Sequence, residues 1–232
     1  MADVVLAPAK LTRSLRITGV RPDGLHLIDA EMVTIDLVDE LTFAAGDGLV
    51  LEGAGPDVTP GDDNLVRRAL RAVDRTALVT LRKRIPSGAG LGGGSADAAA
   101  VLRWAGCSDR ALAAGLGADV PFCLVGGRAR VTGIGEELEP LPPLDLTFTL
   151  LTPPVHCSTP AVYRAWDDLG GRTAEGPNDL EPAALVVAPE LARWRDELQE
   201  RTGQTAVLAG SGSTWFVEGA YPGPGHVVVR TA

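Results

Sequence analysis

The sequence is poor in positive charge and has no long hydrophobic run. Its 21 lysine and arginine residues are outnumbered by 30 aspartate and glutamate residues, which gives a formal net charge of -9. Because nucleic-acid binding depends on neutralising phosphate charge, this balance argues against a general nucleic-acid-binding protein. No apolar stretch approaches the roughly 20 residues that cross a bilayer. The first residues also lack the basic start of a signal peptide, so no membrane or secretory segment is expected.

Cysteine is scarce as well, and its spacing does not fit disulfide or metal chemistry. The three cysteines, Cys107, Cys123 and Cys157, are odd in number, lie far apart and form no CxxC pair. The three histidines form no cluster with metal-ligand spacing, so no metal site made by the protein alone is expected. Isolated cysteines of this kind are typical of reduced thiols, and we therefore expect a cytoplasmic protein.

Glycine and proline, by contrast, are abundant, with 28 and 17 residues distributed along the chain. The apolar fraction of 45% is sufficient for one large domain or two smaller ones. The stretch 86–100 has the sequence PSGAGLGGGSADAAA, a glycine loop followed by the start of a helix. Such a loop presents free backbone N–H groups at the positive end of the helix dipole, where a phosphate group binds well. The stretch therefore predicts a site for the phosphates of a nucleotide.

Three other interpretations of this loop have to be weighed. It contains GxGxxG at Gly88, Gly90 and Gly93, but a dinucleotide-binding fingerprint opens the first βαβ unit, whereas this loop follows a long β-rich segment. An NAD-dependent oxidoreductase therefore has little support. No lysine followed by serine or threonine comes after Gly94, which excludes a Walker A motif. The loop could also be a flexible surface loop. This interpretation has little support, because ordering so many glycines before a helix costs backbone entropy and a surface loop would gain nothing in return.

Alternating and apolar patterns predict an α+β fold whose amino-terminal third is mostly antiparallel sheet. Predicted strands cover 4–6, 11–20, 32–37, 39–45, 49–51, 76–82, 128–132, 146–151 and 226–230, with two more around 209–214; predicted helices cover 65–72, 96–105, 112–116, 159–166, 180–186 and 190–200. Residues 62–64, which end in Asn64, are expected to cap the first of these helices, and Thr159 is expected to be the N-cap of the helix that ends at 166. The sequence PLPP at 140–143 predicts a boundary between two domains, 1–142 and 143–232. Pro222 and Pro224 forbid a helix in the link before the last strand.

Two charged residues stand out in apolar surroundings. Lys10 follows an apolar strand, where a lysine is usually the solvated end of the strand. Asp119 precedes an apolar segment, where a carboxylate either caps a helix or serves as a base. Together they suggest a mechanism, because a lysine near a carboxylate keeps it ionised and orients it towards a substrate hydroxyl.

Seven short motifs occur in an order that resembles the GHMP small-molecule kinases. They are APAK at 7–10, PDGLH at 22–26, DNL at 63–65, IPSGAGLGGGS at 85–95, LGADVP at 116–121, NDLEP at 178–182 and GSG at 210–212. The resemblance extends over nearly the whole chain, and LGGGS together with LGADVPF is specific to one branch, whereas GSG alone is not. It implies a GHMP kinase fold of two domains, the first like domain 2 of ribosomal protein S5 and the second a shortened ferredoxin-like α/β sandwich.

The resemblance implies ATP and Mg²⁺ as cofactors, with the phosphates on the glycine loop and the base near Asn64 and Leu65. The residues expected to bind ATP are Asn64, Leu65, Pro86, Ser87, Gly88, Ala89, Gly90, Leu91, Gly92, Gly93, Gly94, Ser95 and Ala96. Lys10 and Asp119 match the catalytic pair of the family. Asp119 would accept the proton of the attacking hydroxyl, and Lys10 would polarise that hydroxyl or hold Asp119 charged, while Mg²⁺ would bridge the phosphates.

The acceptor implied by the resemblance is a cytidyl diphosphate sugar alcohol, phosphorylated on its tertiary 2-hydroxyl in non-mevalonate isoprenoid synthesis. The residues expected to bind it are Thr12, His26, Tyr163, Gly210, Ser211 and Gly212. His26 matches a histidine that reads the cytosine, Tyr163 an aromatic that stacks on it, and 210–212 a motif that closes over the substrate. From the residues alone, His26 could equally be an exposed bystander and Tyr163 a core residue. A monomer or weak homodimer without nucleic-acid or membrane partners is expected.

The sequence departs from the family pattern at four points. Leu25 occupies a position where the family usually has tyrosine, which removes one stacking face of the cytosine pocket. Thr12 and Arg13 replace an Asn-Leu pair, Ala96 replaces a second serine that could contact phosphate or metal, and the link 217–226 lacks a helix. These departures keep two alternatives open: a GHMP kinase of the mevalonate or sugar-alcohol type, and a nucleotide-binding homologue with weakened catalysis.

Overall fold

The computed structural model describes residues 2–53, 55 and 58–232 of the chain. Its elements are, in chain order, β1 (Asp3–Val20), β2 (His26–Ala44), β3 (Gly48–Glu52), α1 (Leu65–Ala72), β4 (Leu78–Arg82), α2 (Gly93–Trp104), α3 (Arg110–Leu116), α4 (Val120–Val125), β5 (Arg128–Thr132), β6 (Glu137–Pro140), β7 (Thr147–Leu151), α5 (Thr159–Asp168), α6 (Glu181–Val187), α7 (Leu191–Thr202), β8 (Val207–Leu208), β9 (Trp215–Glu218) and β10 (His226–Arg230). The predicted α+β class is therefore confirmed. No helix in these ranges is long and apolar enough to span a bilayer.

The first sheet is built on two long antiparallel strands, β1 and β2, which pair from Asp3↔Phe43 to Val20↔His26. The sequence predicts each of them as separate pieces, and that prediction is wrong. Register shifts between Pro8 and Lys10, and twice more along β1, allow the strand to bend without ending. Among the strands that the structure describes, β1 pairs with β2 and no other, so Pro8 lies in an edge strand, where a missing N–H is tolerated.

The glycine loop connects β4, which lies between β3 and β2 in this sheet, to the largely buried helix α2. All residues from 96 to 102 are buried, and the alanines among them allow the helix to pack close to the sheet. The helix begins at Gly93, three residues before the predicted start at 96, and Gly92 caps it in a left-handed conformation with φ of 69°. The last glycines of the loop therefore form the first turn of α2.

The second sheet has the order β10-β7-β9-β8, and α5, α6 and α7 contribute to the hydrophobic cluster on one of its faces. The link between β9 and β10 contains no helix, as Pro222 and Pro224 predict. Thr149 holds this link in place: its hydroxyl donates to the Gly219 carbonyl at 2.8 Å and accepts from the Tyr221 N–H at 2.9 Å. Tyr221 packs against the same cluster, so the link takes over part of the cover that a helix would give.

The two hydrophobic clusters extend across the predicted boundary at 142. The larger cluster joins α1 and α2 of the first sheet to Phe148, Phe216 and Val229 of the second. The other cluster joins Leu15 and Ile28 to the helices α5, α6 and α7. The division into domains 1–142 and 143–232 stays a prediction. The two parts share these hydrophobic clusters.

Three local predictions need correction. Helix α4 and strand β6 are not predicted, because six residues containing Pro121 and four residues ending in Pro140 are too short for a periodic signal. The cap of α5 is Ser158, with Thr159 as the first helical residue. The first of these corrections matters for the site, since Asp119 occupies the N-cap position of α4.

Candidate active site

A cleft of about 990 Å³ is lined by the glycine loop, the β1–β2 framework, α5 and the segment 210–212. Of the residues predicted to bind or to react, all but two line this cleft. The exceptions, Leu91 and Ala96, are 1% and 0% exposed and belong to the larger hydrophobic cluster. The structure thus brings the predicted site residues together and places those two behind the loop surface.

Lys10 and Asp119 form an ion pair in the middle of this cleft. The Nζ atom of Lys10 lies 3.5 Å from Oδ2 of Asp119 and donates a 3.0 Å hydrogen bond to Oγ1 of Thr12. Lys10 lies inside β1, not at a strand end, and only 5% of it is exposed. Asp119 starts α4, yet its side chain makes no capping hydrogen bond. The carboxylate is therefore oriented by Lys10 and not by the helix it precedes.

The glycine loop takes a conformation that other residues would disturb. Gly90 has φ of 78°, and a Cβ atom there would lie 2.3 Å from the carbonyl oxygen of Ala209. At Gly92, with φ of 69°, a Cβ atom would lie 2.9 Å from Cγ of Lys10. The N–H of Lys10 also donates to the Leu91 carbonyl at 3.1 Å. The loop is therefore packed tightly between Lys10 and the segment 209–214.

Asn64 and Leu65 line the same cleft at the start of α1. The Oδ1 atom of Asn64 accepts from the Val66 N–H at 2.9 Å, and its Nδ2 atom donates to the Thr59 carbonyl at 2.8 Å. Asn64 is thus the N-cap that the sequence predicts. Its fixed side chain presents Leu65 to the cleft next to the glycine loop.

A buried ion cluster at the base of the glycine loop is not predicted from the sequence. Lys83, just before the loop, forms ion pairs with Asp39 of β2 and with Asp97 of α2, the latter at 2.8 Å. One oxygen of Asp39 also accepts from the N–H groups of Arg84 and Ile85, the second at 2.8 Å. The cluster therefore joins the residues that enter the loop to the helix that leaves it.

The charges in this cluster are not balanced, because two carboxylates share one lysine. Burial raises the pKa of Asp97 to about 7 although the Lys83 charge lowers it, and its Oδ1 atom has no hydrogen-bond partner in the described structure. Burial lowers the pKa of Lys83, but the charges of Asp97 and Asp39 outweigh it and raise the value above normal. The only sequence signal for this cluster is the presence of charges in otherwise apolar stretches.

The opposite end of the cleft carries the predicted base-binding residues. His26 Nε2 lies 2.8 Å from Oδ1 of Asp167, and the His26 ring packs against Tyr163 and Trp166 with centroid distances of 4.8 and 5.5 Å. Burial first, and the Asp119 charge second, raise the pKa of Tyr163 to about 12. Leu25 lines the cleft beside them and is 44% exposed. His26 is therefore neither a bystander nor solvated, and Asp167 is a partner that the sequence does not reveal.

The segment 210–212 is held by the NDLEP motif. Nδ2 of Asn178, a residue only 1% exposed, donates to the carbonyls of Leu208 and Gly210 at 2.8 and 2.7 Å, and its Oδ1 accepts from the Leu180 N–H at 2.9 Å. The Ser211 hydroxyl lies 2.8 Å from that of Thr159 at the start of α5. Asn178 thus fixes the turn that packs against the glycine loop.

Comparison with known proteins agrees with this geometry. Residues 64–127 match the family described as the GHMP kinases N terminal domain. The 4-diphosphocytidyl-2-C-methyl-D-erythritol kinase of Ruegeria pomeroyi is 39% identical, covering 97% of this chain and 91% of the relative. The enzyme of that name from Paracoccus denitrificans is 42% identical over 90% of this chain and 84% of the relative. A crystal structure of 4-(cytidine 5'-diphospho)-2C-methyl-D-erythritol kinase matches with a TM-score of 0.74 and 34% identity, covering 93% and 89% of the two chains.

The fold and the cleft thus define an ATP-dependent small-molecule kinase of the GHMP type. A homoserine kinase from Cytophaga hutchinsonii shares this fold with a TM-score of 0.64 but only 18% identity. Within the GHMP kinases, this chain belongs to the family of 4-diphosphocytidyl-2-C-methyl-D-erythritol kinases.

Proposed function

We propose that this chain transfers the γ-phosphoryl group of ATP to the 2-hydroxyl of 4-diphosphocytidyl-2-C-methyl-D-erythritol, giving the 2-phosphate and ADP in non-mevalonate isoprenoid synthesis. The observation that carries the proposal is the Lys10–Asp119 pair, which lies in one cleft with the glycine loop and with His26. The named relatives support this acceptor over a mevalonate-type one.

Asp119 is the proposed base of the reaction. Its carboxylate is held by Lys10 and not by a helix cap, so it can take the proton of a hydroxyl that attacks the γ-phosphate. Lys10 in turn is fixed by Thr12 and by the loop carbonyl of Leu91. Phosphoryl transfer depends mainly on positioning and charge stabilisation, and this rigid arrangement supplies both.

ATP and Mg²⁺ fit the residues around the glycine loop. The first turn of α2 offers N–H groups to the phosphates at the positive end of a helix of 12 residues. Mg²⁺ typically binds to one or two protein oxygens together with substrate phosphates, and Ser95 and Asp119 line the cleft with such oxygens. When bound, the ion would neutralise charge on the phosphates. Ala96 lies behind this surface and would not contribute.

The cytidine part of the acceptor would bind in the cleft against His26 and the neighbouring face of α5. Because Nε2 of His26 is engaged by Asp167, the other ring nitrogen is available to the base. We further infer a cytoplasmic enzyme, which the three free cysteines support. A monomer or weak homodimer without nucleic-acid or membrane partners completes the proposal.

The test is turnover with the cytidyl substrate compared with mevalonate and homoserine, measured as ADP release with ³¹P NMR of the product. We expect rapid release with the first acceptor only, and a loss of at least about a thousandfold in kcat for Asp119→Asn with ATP binding retained. Asp145→Asn is the matched control, because Asp145 is exposed and lies outside the cleft. Stabilisation by ATP without ADP release from any acceptor would instead support the nucleotide-binding homologue.

A further inference from the structure

One face of α5 forms a wall of the cleft. The residues on this face are spaced three and four apart, as one side of a helix requires: Pro160, Tyr163, Arg164 and Asp167. Tyr163 packs against His26, and Asp167 holds the His26 ring nitrogen at 2.8 Å. Arg164 lies on the same face and is exposed.

The cations that line the cleft differ in how their charge is balanced. Lys10 is paired with Asp119, and Lys83 with both Asp39 and Asp97. For Arg164, by contrast, no carboxylate of residues 2–53, 55 or 58–232 lies within ion-pairing distance. Arg164 therefore presents to the cleft a positive charge that no carboxylate in the described part of the chain neutralises, and an anionic group of a ligand could pair with it.

We propose that Arg164 binds the diphosphate of the acceptor, an inference that rests on the proposed function. The planar guanidinium group matches two phosphate oxygens at once and keeps its charge at every physiological pH. Arg164 follows Tyr163 in the chain, and Tyr163 packs on His26. If the cytosine binds at His26, the diphosphate attached to the cytidine would therefore lie along the same wall of the cleft, within reach of Arg164. The phosphates of ATP have the separate cradle of the glycine loop and the start of α2.

Leu25 makes this contact more important in this chain than an aromatic at that position would. Stacking of an aromatic on a nucleic-acid base contributes about 1–3 kcal/mol, and the leucine beside His26 cannot supply it. The acceptor therefore depends more on the charge of its diphosphate. Affinity should rise from cytidine to CMP to CDP, and most of that rise should come from Arg164.

Calorimetric binding of cytidine, CMP and CDP to wild type and to Arg164→Gln tests the proposal without turnover. We expect Arg164→Gln to weaken CDP binding about tenfold or more, to leave cytidine unchanged, and to raise the acceptor KM similarly with little change in kcat or in the KM for ATP. Arg164→Lys should recover part of the loss. Arg75→Gln, an exposed arginine outside the cleft, has the same change of charge and should behave as wild type.

Three results would overturn the proposal. CDP binding that is equal in wild type and Arg164→Gln refutes the contact while leaving the kinase function intact. A rise in the KM for ATP as large as that for the acceptor assigns Arg164 to the nucleotide instead. Wild-type protein that neither binds CDP nor turns over the cytidyl acceptor refutes the proposed function together with this inference.

Discussion

Replacing Asp97 with asparagine should make the protein more stable at high pH. In the wild type, burial raises the pKa of Asp97 from 3.8 to about 7. The Lys83 charge opposes this increase, and the charge of Asp39, which shares Lys83, adds to it. Asparagine has nearly the same shape, accepts the hydrogen bond from Lys83 and carries no charge. The variant therefore leaves one carboxylate for one lysine, and the pair is balanced.

The sign of the effect follows from proton binding. Because the pKa of Asp97 is higher in the folded state, the folded protein binds more protons than the unfolded chain between about pH 4 and pH 7, and the free energy of unfolding falls as the pH rises through that range. A difference of roughly three pKa units corresponds to about 4 kcal/mol at most. Between pH 5 and pH 8 the variant should therefore gain about 3 kcal/mol relative to wild type.

Urea unfolding followed by tryptophan fluorescence at pH 5, 6, 7 and 8 measures this difference directly, since carboxylates outside the cluster have the same surroundings in both proteins. Asp145→Asn, at an exposed position outside the cluster, should show no pH-dependent difference from wild type. A stability difference between Asp97→Asn and wild type that stays constant, or shrinks, as the pH rises would refute the assignment of an excess buried charge at this site.

Two further substitutions test the loop and the base pocket. Gly90→Ala should destabilise the protein by roughly 2–4 kcal/mol and raise the KM for ATP about tenfold, because its Cβ would collide with the Ala209 carbonyl. Gly115→Ala is the control without a clash: it has open space around it in α3 and should leave the KM for ATP unchanged while slightly stabilising the helix. An unchanged KM for ATP in Gly90→Ala would contradict the tight loop. Leu25→Tyr should lower the acceptor KM at least about fivefold, because a tyrosine would restore a stacking face. Leu169→Tyr is the control: Leu169 is equally exposed but lies outside the cleft, so the acceptor KM should not change. An unchanged acceptor KM in Leu25→Tyr would count against the base pocket.

The cleft could be predicted from the sequence to the extent that its residues occur in local motifs. The sequence marks Gly92, Asn64 and Asp119 for local reasons: glycines precede a helix, an asparagine precedes a helix, and a lone aspartate precedes an apolar turn. All three residues line the cleft. Leu91 and Ala96 belong to the same motif, but the turn of the chain directs them to the core. A motif identifies a segment, whereas the pleat and the helical period decide which of its residues face the ligand.

Long-range pairs could not be predicted in this way. Asp39 and Lys83 are 44 positions apart, and His26 and Asp167 are 141 apart, so no local pattern links them. A related reason explains why β1 could not be predicted as one continuous strand. A proline such as Pro8 indicates the end of a strand unless that strand is known to lie at the edge of the sheet. Pairing across the sheet, and not propensity, decides such positions.

The departures from the family pattern carry less weight once their surroundings are known. Thr12 replaces an asparagine, yet its hydroxyl accepts a hydrogen bond from Lys10, so Lys10 keeps an oxygen partner at that position. Ala96 is fully buried behind the loop, where a serine hydroxyl would face the core and not the phosphates. The link after β9 is held by Thr149 and covered in part by Tyr221. The features that suggested weakened catalysis are thus each compensated locally. Leu25 remains the departure that changes the lining of the cleft, and with the proposed contact of Arg164 it would make acceptor binding depend more on the diphosphate.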